Sequence, residues 1–179
     1  MKRLSALAIS ALFAGAAAAQ STPIIVTNTD TAGSGSLRAA LAEAAETTDA
    51  SRVVIAVEGD IVVSESLVYD GDAPIEIVGN GNRVRAAVNT DILVSASGAD
   101  LAVSNLTLEG PGQYSILNRG DLNGDSAGKG IFVDVGEAQT GTVSLVLDNV
   151  SVKGVANHGI HVSDCTLADD CGAGAGGGG

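Results

Sequence analysis

The chain has 179 residues, 21 acidic against 9 basic side chains and a formal net charge of −12, which excludes a surface suited to nucleic acid or anionic lipid. No Trp and only two Tyr and two Phe leave little from which to build an aromatic platform for sugars or bases. What dominates instead is Val, Ile, Leu, Ala, Gly, Asn and Asp, the mixture of short buried strands with tight turns.

The first residues have the three parts of a secretory signal: Lys2 and Arg3, the apolar stretch Leu4 to Ala14, and the small-residue site Ala17-Ala18-Ala19 before Gln20. The apolar stretch is about 11 residues against the roughly 20 needed to span a bilayer, so it reads as a leader to be removed rather than an anchor. Residues 20–179 are therefore expected outside the cytoplasm, in the periplasm, at the cell surface or in the medium. There Cys165 and Cys171 meet an oxidising compartment and are expected to form a local disulfide; the loop is short and its stabilisation modest.

After the leader, Ile24 to Thr27 reads as a short strand and Asn28 to Ser36 as a turn-rich stretch. Leu37 to Glu46 is the one convincing helix, because Leu37, Ala40, Leu41, Ala44 and Ala45 fall at i, i+3, i+4, i+7 and i+8 and make one apolar face. Ser34 or Ser36 can cap its start. From Val53 the period becomes strand-like, with apolar runs at Val53 to Val57, Ile61 to Val63, Ile75 to Val78, Ile92 to Val94, Leu101 to Val103, Leu106 to Leu108, Val143 to Leu147, Val150 to Val152 and Ile160 to Val162. Gly, Asn or Asp separates most of them, and no helices intervene, which excludes a doubly wound fold.

An internal repeat organises these runs. Leu101-Ala-Val-Ser-Asn-Leu-Thr-Leu-Glu-Gly110 matches Leu145-Val-Leu-Asp-Asn-Val-Ser-Val-Lys-Gly154 position by position, and the spacing reads as two coils of about 22 residues, the size of one turn of a parallel β-helix. Asn105 and Asn149 sit between paired strand pieces. Each begins an Asn-x-Thr/Ser sequon, but the repeat favours a structural use, an amide ladder at a turn.

The segment Val26-Thr-Asn-Thr-Asp-Thr-Ala-Gly-Ser-Gly-Ser-Leu-Arg-Ala-Ala-Leu-Ala-Glu-Ala44 resembles the entry segment of bacterial right-handed parallel β-helix repeat proteins, the pectate-lyase-like and autotransporter-adhesin-like superfamily. Ile75-Glu-Ile-Val-Gly-Asn-Gly81 and Gly159-Ile-His-Val-Ser-Asp164 are similar to coil signatures of the same group. The resemblance implies an all-β chain: a signal over 1–19, a strand and capping helix over 20–52, about five β-helix coils over 53–171 and a Gly-rich tail over 172–179. A solenoid end exposes strand edges and apolar interior, so a one-faced helix over the first coil is a physical necessity of that fold. The group includes adhesins, autotransporter passengers and extracellular polysaccharide lyases. Neither the Gly-Gly-Ala-Ile nor the Phe-x-x-Asn repeat of the polymorphic adhesins occurs here, and the lyases place their calcium-binding Asp and catalytic Arg in later coils, so no catalytic residue carries over.

The remaining candidate chemistry is sparse. Asp121, Asn123 and Asp125 open like a calcium loop, but Ser126 replaces its Gly and Phe132 its closing Glu. His158 and His161 stand i, i+3 apart, positions on opposite faces of a strand, with His161 expected to face outward between buried Ile160 and Val162. Arg83, Arg85, Arg119, Lys129 and Lys153 are scattered and expected to pair with surface carboxylates. No nucleophile elbow, P-loop or Cys-x-x-Cys is present.

The expected function is an exported structural or adhesive surface module that binds polysaccharide or cell-surface glycan along an elongated face, without cofactor. The alternative is the N-terminal part of an extracellular polysaccharide lyase or hydrolase. A chain with one cap and a Gly-rich end is expected to be the front of a longer solenoid and to self-associate through its open last coil.

Overall fold

The computed structural model describes residues 22–112, 128–134 and 143–163. The leader, the loop of Asp121, Asn123 and Asp125, and both cysteines lie outside the described residues.

The chain enters through β1 (Ile24–Val26) and turns into α1 (Leu37–Ala45). Ser36 sets the helix start: its Oγ accepts from the Ala39 N–H at 3.2 Å and donates to the Gly33 carbonyl at 2.7 Å, so one hydroxyl satisfies an orphan helical donor and closes the preceding turn. Leu37, Ala40, Leu41 and Ala44 are buried. On the other face Arg38 donates to the carbonyls of Ser66 at 2.7 Å, Glu65 at 3.1 Å and Thr31 at 3.1 Å. The helix packs on β1, β2 and β4, and so covers the first strands of both sheets.

Ten more strands follow: β2 (Ser51–Ile55), β3 (Ile61–Val63), β4 (Leu67–Tyr69), β5 (Ile75–Val78), β6 (Arg83–Ala86), β7 (Leu93–Ser95), β8 (Leu101–Glu109), β9 (Ile131–Asp134), β10 (Leu145–Lys153) and β11 (Ile160–Ser163). Among the described residues the architecture is all-β with one helix. A seven-stranded sheet runs β1-β2-β5-β8-β6-β3 with β10 also on β8, and a four-stranded sheet runs β11-β9-β7-β4. Every pairing is parallel. Parallel neighbours need a crossover, and here strands of the other sheet supply it: the chain passes from the long sheet (β2, β3) to the short one (β4), back (β5, β6), across (β7), back (β8), across (β9), back (β10) and across (β11).

The core lies between the sheets. Inward rows such as Val53, Ile77 and Val103, in register across β2, β5 and β8, are buried, while their strand neighbours Arg52 and Glu76 face out and form an ion pair at 3.3 Å. Asn105, with φ 51°, interrupts this alternation in β8. Leu101 and Val103 before it and Leu106 and Leu108 after it are all buried, because one left-handed residue shifts the parity and keeps both halves facing inward. The Leu101 to Val103 and Leu106 to Leu108 runs are thus one kinked strand, and Val150 to Val152 likewise continues the strand begun at Leu145.

The repeat length differs from the expected 22. Register partners on β2, β5 and β8, on β3, β6 and β8, and on β4 and β7 lie 23 to 26 residues apart, as do Arg83 and Asp60 and Arg83 and Glu109, whereas β1–β2 and β9–β11 partners lie 29 apart and β7–β9 partners 38. The interval of 44 residues, seen in the bond from the Asn149 amide to Asn105, is a single step, since β10 pairs directly with β8. The extra residues include β9, which pairs in the other sheet; the apolar runs of β9 and β4 are not among those read from the sequence.

On β10 the inward residues Leu145, Leu147, Val150 and Val152 are only half-buried, whereas their register partners Leu101, Val103, Leu106 and Leu108 are buried. Among the described residues β10 pairs with β8 alone.

Candidate functional site

A groove of about 770 Å³ lies on the outer face of the long sheet. Its floor is a row of register partners, Arg52, Glu76, Ala102 and Val146, one from each of β2, β5, β8 and β10. Its rim is made by the residues that precede those strands, Ala50, Pro74, Asp100 and Ser144. The rim is tied by the same ladder as the strands: Ser51 N–H donates to the Pro74 carbonyl at 2.9 Å, Ile75 to Asp100 at 3.0 Å and Leu101 to Ser144 at 2.9 Å. Asp100 also accepts from the Ser144 N–H at 2.7 Å, which holds the carboxylate against backbone.

The groove is mostly apolar. Its polar centre is the Arg52–Glu76 pair, each side chain 44% exposed, and beyond it lie the small Ala102 and the exposed Val146. With both acidic side chains near the floor engaged, no pair of carboxylates is poised as acid and base. The arrangement suits a long ligand lying across the strands, which would meet a new strand about every 4.8 Å.

A second, smaller cavity of about 330 Å³ is lined by Asp60, Asn82, Arg83, Thr107 and Lys153. Arg83 donates from Nε to Asp60 at 2.9 Å and from Nη1 to Glu109 at 3.0 Å, and Lys153 reaches Glu109 at 3.1 Å. Hydrogen bonds from Lys153 and Arg83 hold the Glu109 carboxyl below its ordinary value, and bonds to Asp60 and Glu109 push Arg83 up. Four charges from β6, β8, β10 and the loop before β3 thus cancel across neighbouring strands, a pattern that ties strands together rather than one that binds an anion.

The turn asparagines sit at strand corners. Asn80, Asn105 and Asn149 all have positive φ, near 51–52°. The Asn149 amide donates to Asn105 Oδ1 at 2.8 Å and the Asn80 amide to the Ile55 carbonyl at 2.9 Å. Beside them Gly79 has no room for a side chain, because a Cβ there would collide with the Asn105 carbonyl and lie 2.7 Å from Leu106 Cβ.

The expectations for Lys129 and the two histidines need correcting. Lys129 is not a surface base. Its side chain is 1% exposed, its Nζ lies 3.6 Å from Asp91 Oδ2 and 4.6 Å from the centre of the Phe132 ring, and its N–H donates to Asp91 Oδ1 at 2.7 Å. His158 and His161 do not point apart: their ring centres are 5.0 Å apart, and His161 lies 5.3 Å from Phe132. Strand geometry begins only at Ile160, so the opposite-face rule does not reach back to His158. Ile160 is exposed rather than buried, while His161 Nδ1 is buried without a hydrogen-bond partner. Burial, then Lys129 and His158, hold the His161 imidazole below its ordinary value, with Asp91 opposing. The three-ring stack was invisible in the sequence because Phe132 is brought beside His161 only by the β9–β11 register.

Among the described residues no group of three or more His, Cys, Asp or Glu is arranged to hold a metal ion. Comparison of the chain with family models, with curated proteins and with solved structures found no match.

Proposed function

We propose that the chain is an exported segment of a right-handed parallel β-helix that acts as a structural or adhesive surface module and holds a polysaccharide in the groove across β2, β5, β8 and β10. The β-helix reading is supported by the alternation of the chain between two all-parallel sheets, by steps of 23 to 26 residues, and by the strong right-handed preference of parallel crossovers. Among the described residues the layers counted on the long sheet are β1, β2, β5, β8 and β10. Export rests on the leader sequence: the secreted protein should begin at Gln20 by mass spectrometry, and an intact Met1 outside the cytoplasm would overturn it.

The observation that carries the binding reading is the row Arg52, Glu76, Ala102 and Val146, an uninterrupted floor running across the strands. An acidic chain of net charge −12 favours a neutral over an anionic polymer. Affinity electrophoresis of the full chain in gels holding neutral or acidic polysaccharides tests this. Retardation by a neutral polymer, abolished when Ala102→Trp fills the floor, is the expected result. Equal migration in every gel would refute binding, and accumulation of new reducing or unsaturated ends would favour a lyase or hydrolase. The same reading assigns self-association to the β10 edge, where half-buried Leu145, Leu147, Val150 and Val152 await a further layer; sedimentation that does not change with concentration would argue against it.

A further inference from the structure

We infer that the stack of Phe132, His161 and His158 beside Lys129 is an acid-sensitive latch that holds β11 on the edge of the short sheet and releases it when His161 takes up a proton. Among the described residues β11 pairs with β9 alone in that sheet, Ile160 to Ser163 lying against Ile131 to Asp134, so one ladder and the side chains packed along it hold it in place. His161 is the middle ring of the stack, 5.3 Å from Phe132 on one side and 5.0 Å from His158 on the other.

Four titratable or charged groups surround it. Lys129, before β9, presents its ammonium 4.6 Å from the Phe132 ring centre. Asp91, before β7, is already engaged by that ammonium at 3.6 Å and by the Lys129 N–H at 2.7 Å, so little of its charge is left for a second cation. His158, before β11, has its ring centre 5.0 Å from that of His161. Asp134 closes β9 opposite Ser163 and is buried.

Neutral imidazole fits this setting, because its buried Nδ1 has no partner and the ring simply stacks. Imidazolium does not. It would bury an N–H without an acceptor and set a second positive charge beside Lys129, and the face of Phe132, which would attract a cation, is already taken by Lys129 at 4.6 Å. Burial and Lys129 both disfavour the charged form, in keeping with a folded-state value below the ordinary 6.5. The latch is therefore fully closed above about pH 6.5 and weakens as pH falls toward that lowered value.

Amide hydrogen exchange of the full chain between pH 7.5 and 4.5, corrected for intrinsic rates, reads the latch directly. Protection at residues 160–163 should fall by up to tenfold per pH unit below about 6.5, the limit for one linked proton, while protection in β5 and β8 stays constant. His161→Phe should keep the stack and abolish the pH dependence, and His158→Ala should leave it in place. His161→Leu provides the same reading if the Phe variant fails to fold. Protection at 160–163 that is flat with pH in the parent chain, or that falls equally in both His161 variants, would overturn the proposal.

Discussion

Replacing Asn105 separates the two reasons for having an asparagine at a strand corner. Its backbone is left-handed, φ 51°, and its Oδ1 accepts the Asn149 amide at 2.8 Å. Asn105→Gly keeps the backbone conformation and loses the bond, for about 0.5–1 kcal/mol, together with roughly 0.5 kcal/mol of added unfolded-state entropy. Asn105→Ala loses the same bond and also forces a Cβ without a compensating amide into the left-handed region, at a further cost of about 1–2 kcal/mol. The expected losses are therefore about 1–1.5 kcal/mol for Gly and about 1.5–3 kcal/mol for Ala. A double-mutant cycle of Asn105→Gly with Asn149→Gly should give a coupling of about 0.5–1 kcal/mol. Urea unfolding followed by far-ultraviolet circular dichroism measures the parent and all four variants. An Ala variant as stable as the Gly variant would refute the backbone account, and zero coupling would refute the amide ladder.

Three further outcomes follow from the interior and the charged corner. Ser95 is fully buried with an Oγ that has no partner, so Ser95→Ala should be neutral or stabilising by up to about 1–2 kcal/mol, the desolvation cost of an orphan hydroxyl; a clear loss in chemical denaturation would show that the hydroxyl is satisfied. Gly79→Ala must push its Cβ into the Asn105 carbonyl and Leu106, and a loss of several kcal/mol, about 1–3 for overpacking and more where backbone must move, should appear as poor folding or a lowered melting temperature. Glu109 has a lowered carboxyl value in the fold through Lys153 and Arg83, so its contribution is present above about pH 4.5 and is lost as pH falls through the lowered value. Glu109→Gln should flatten that part of the stability profile, and high salt should weaken the effect because these groups are exposed.

Local patterns made much of the architecture legible. The i, i+3, i+4 spacing at Leu37, Ala40 and Leu41 and the cap at Ser36 place the helix to within a residue, because helix initiation and amphipathicity are properties of a short stretch of chain. The matching Leu101 and Leu145 segments lie side by side, since identical in-and-out patterns stack with identical faces inward. What could not be read was how many residues separate neighbours. The 44-residue interval fits two short circuits as well as one long one, and only the direct β8–β10 pairing distinguishes them.

The sequence by itself determined an all-β chain with one amphipathic helix and corners built on Gly and Asn, because those features rest on side-chain period and on φ preference. Only the tertiary structure decided which surfaces carry chemistry. The groove floor draws Arg52, Glu76, Ala102 and Val146 from four separate strands, and the latch joins Asp91, Lys129, Phe132 and His161 through pairings 38 residues apart in one case. Each of these residues looks ordinary among its neighbours in the chain; parallel register, which sets distant residues about 4.8 Å apart, is what brings them together.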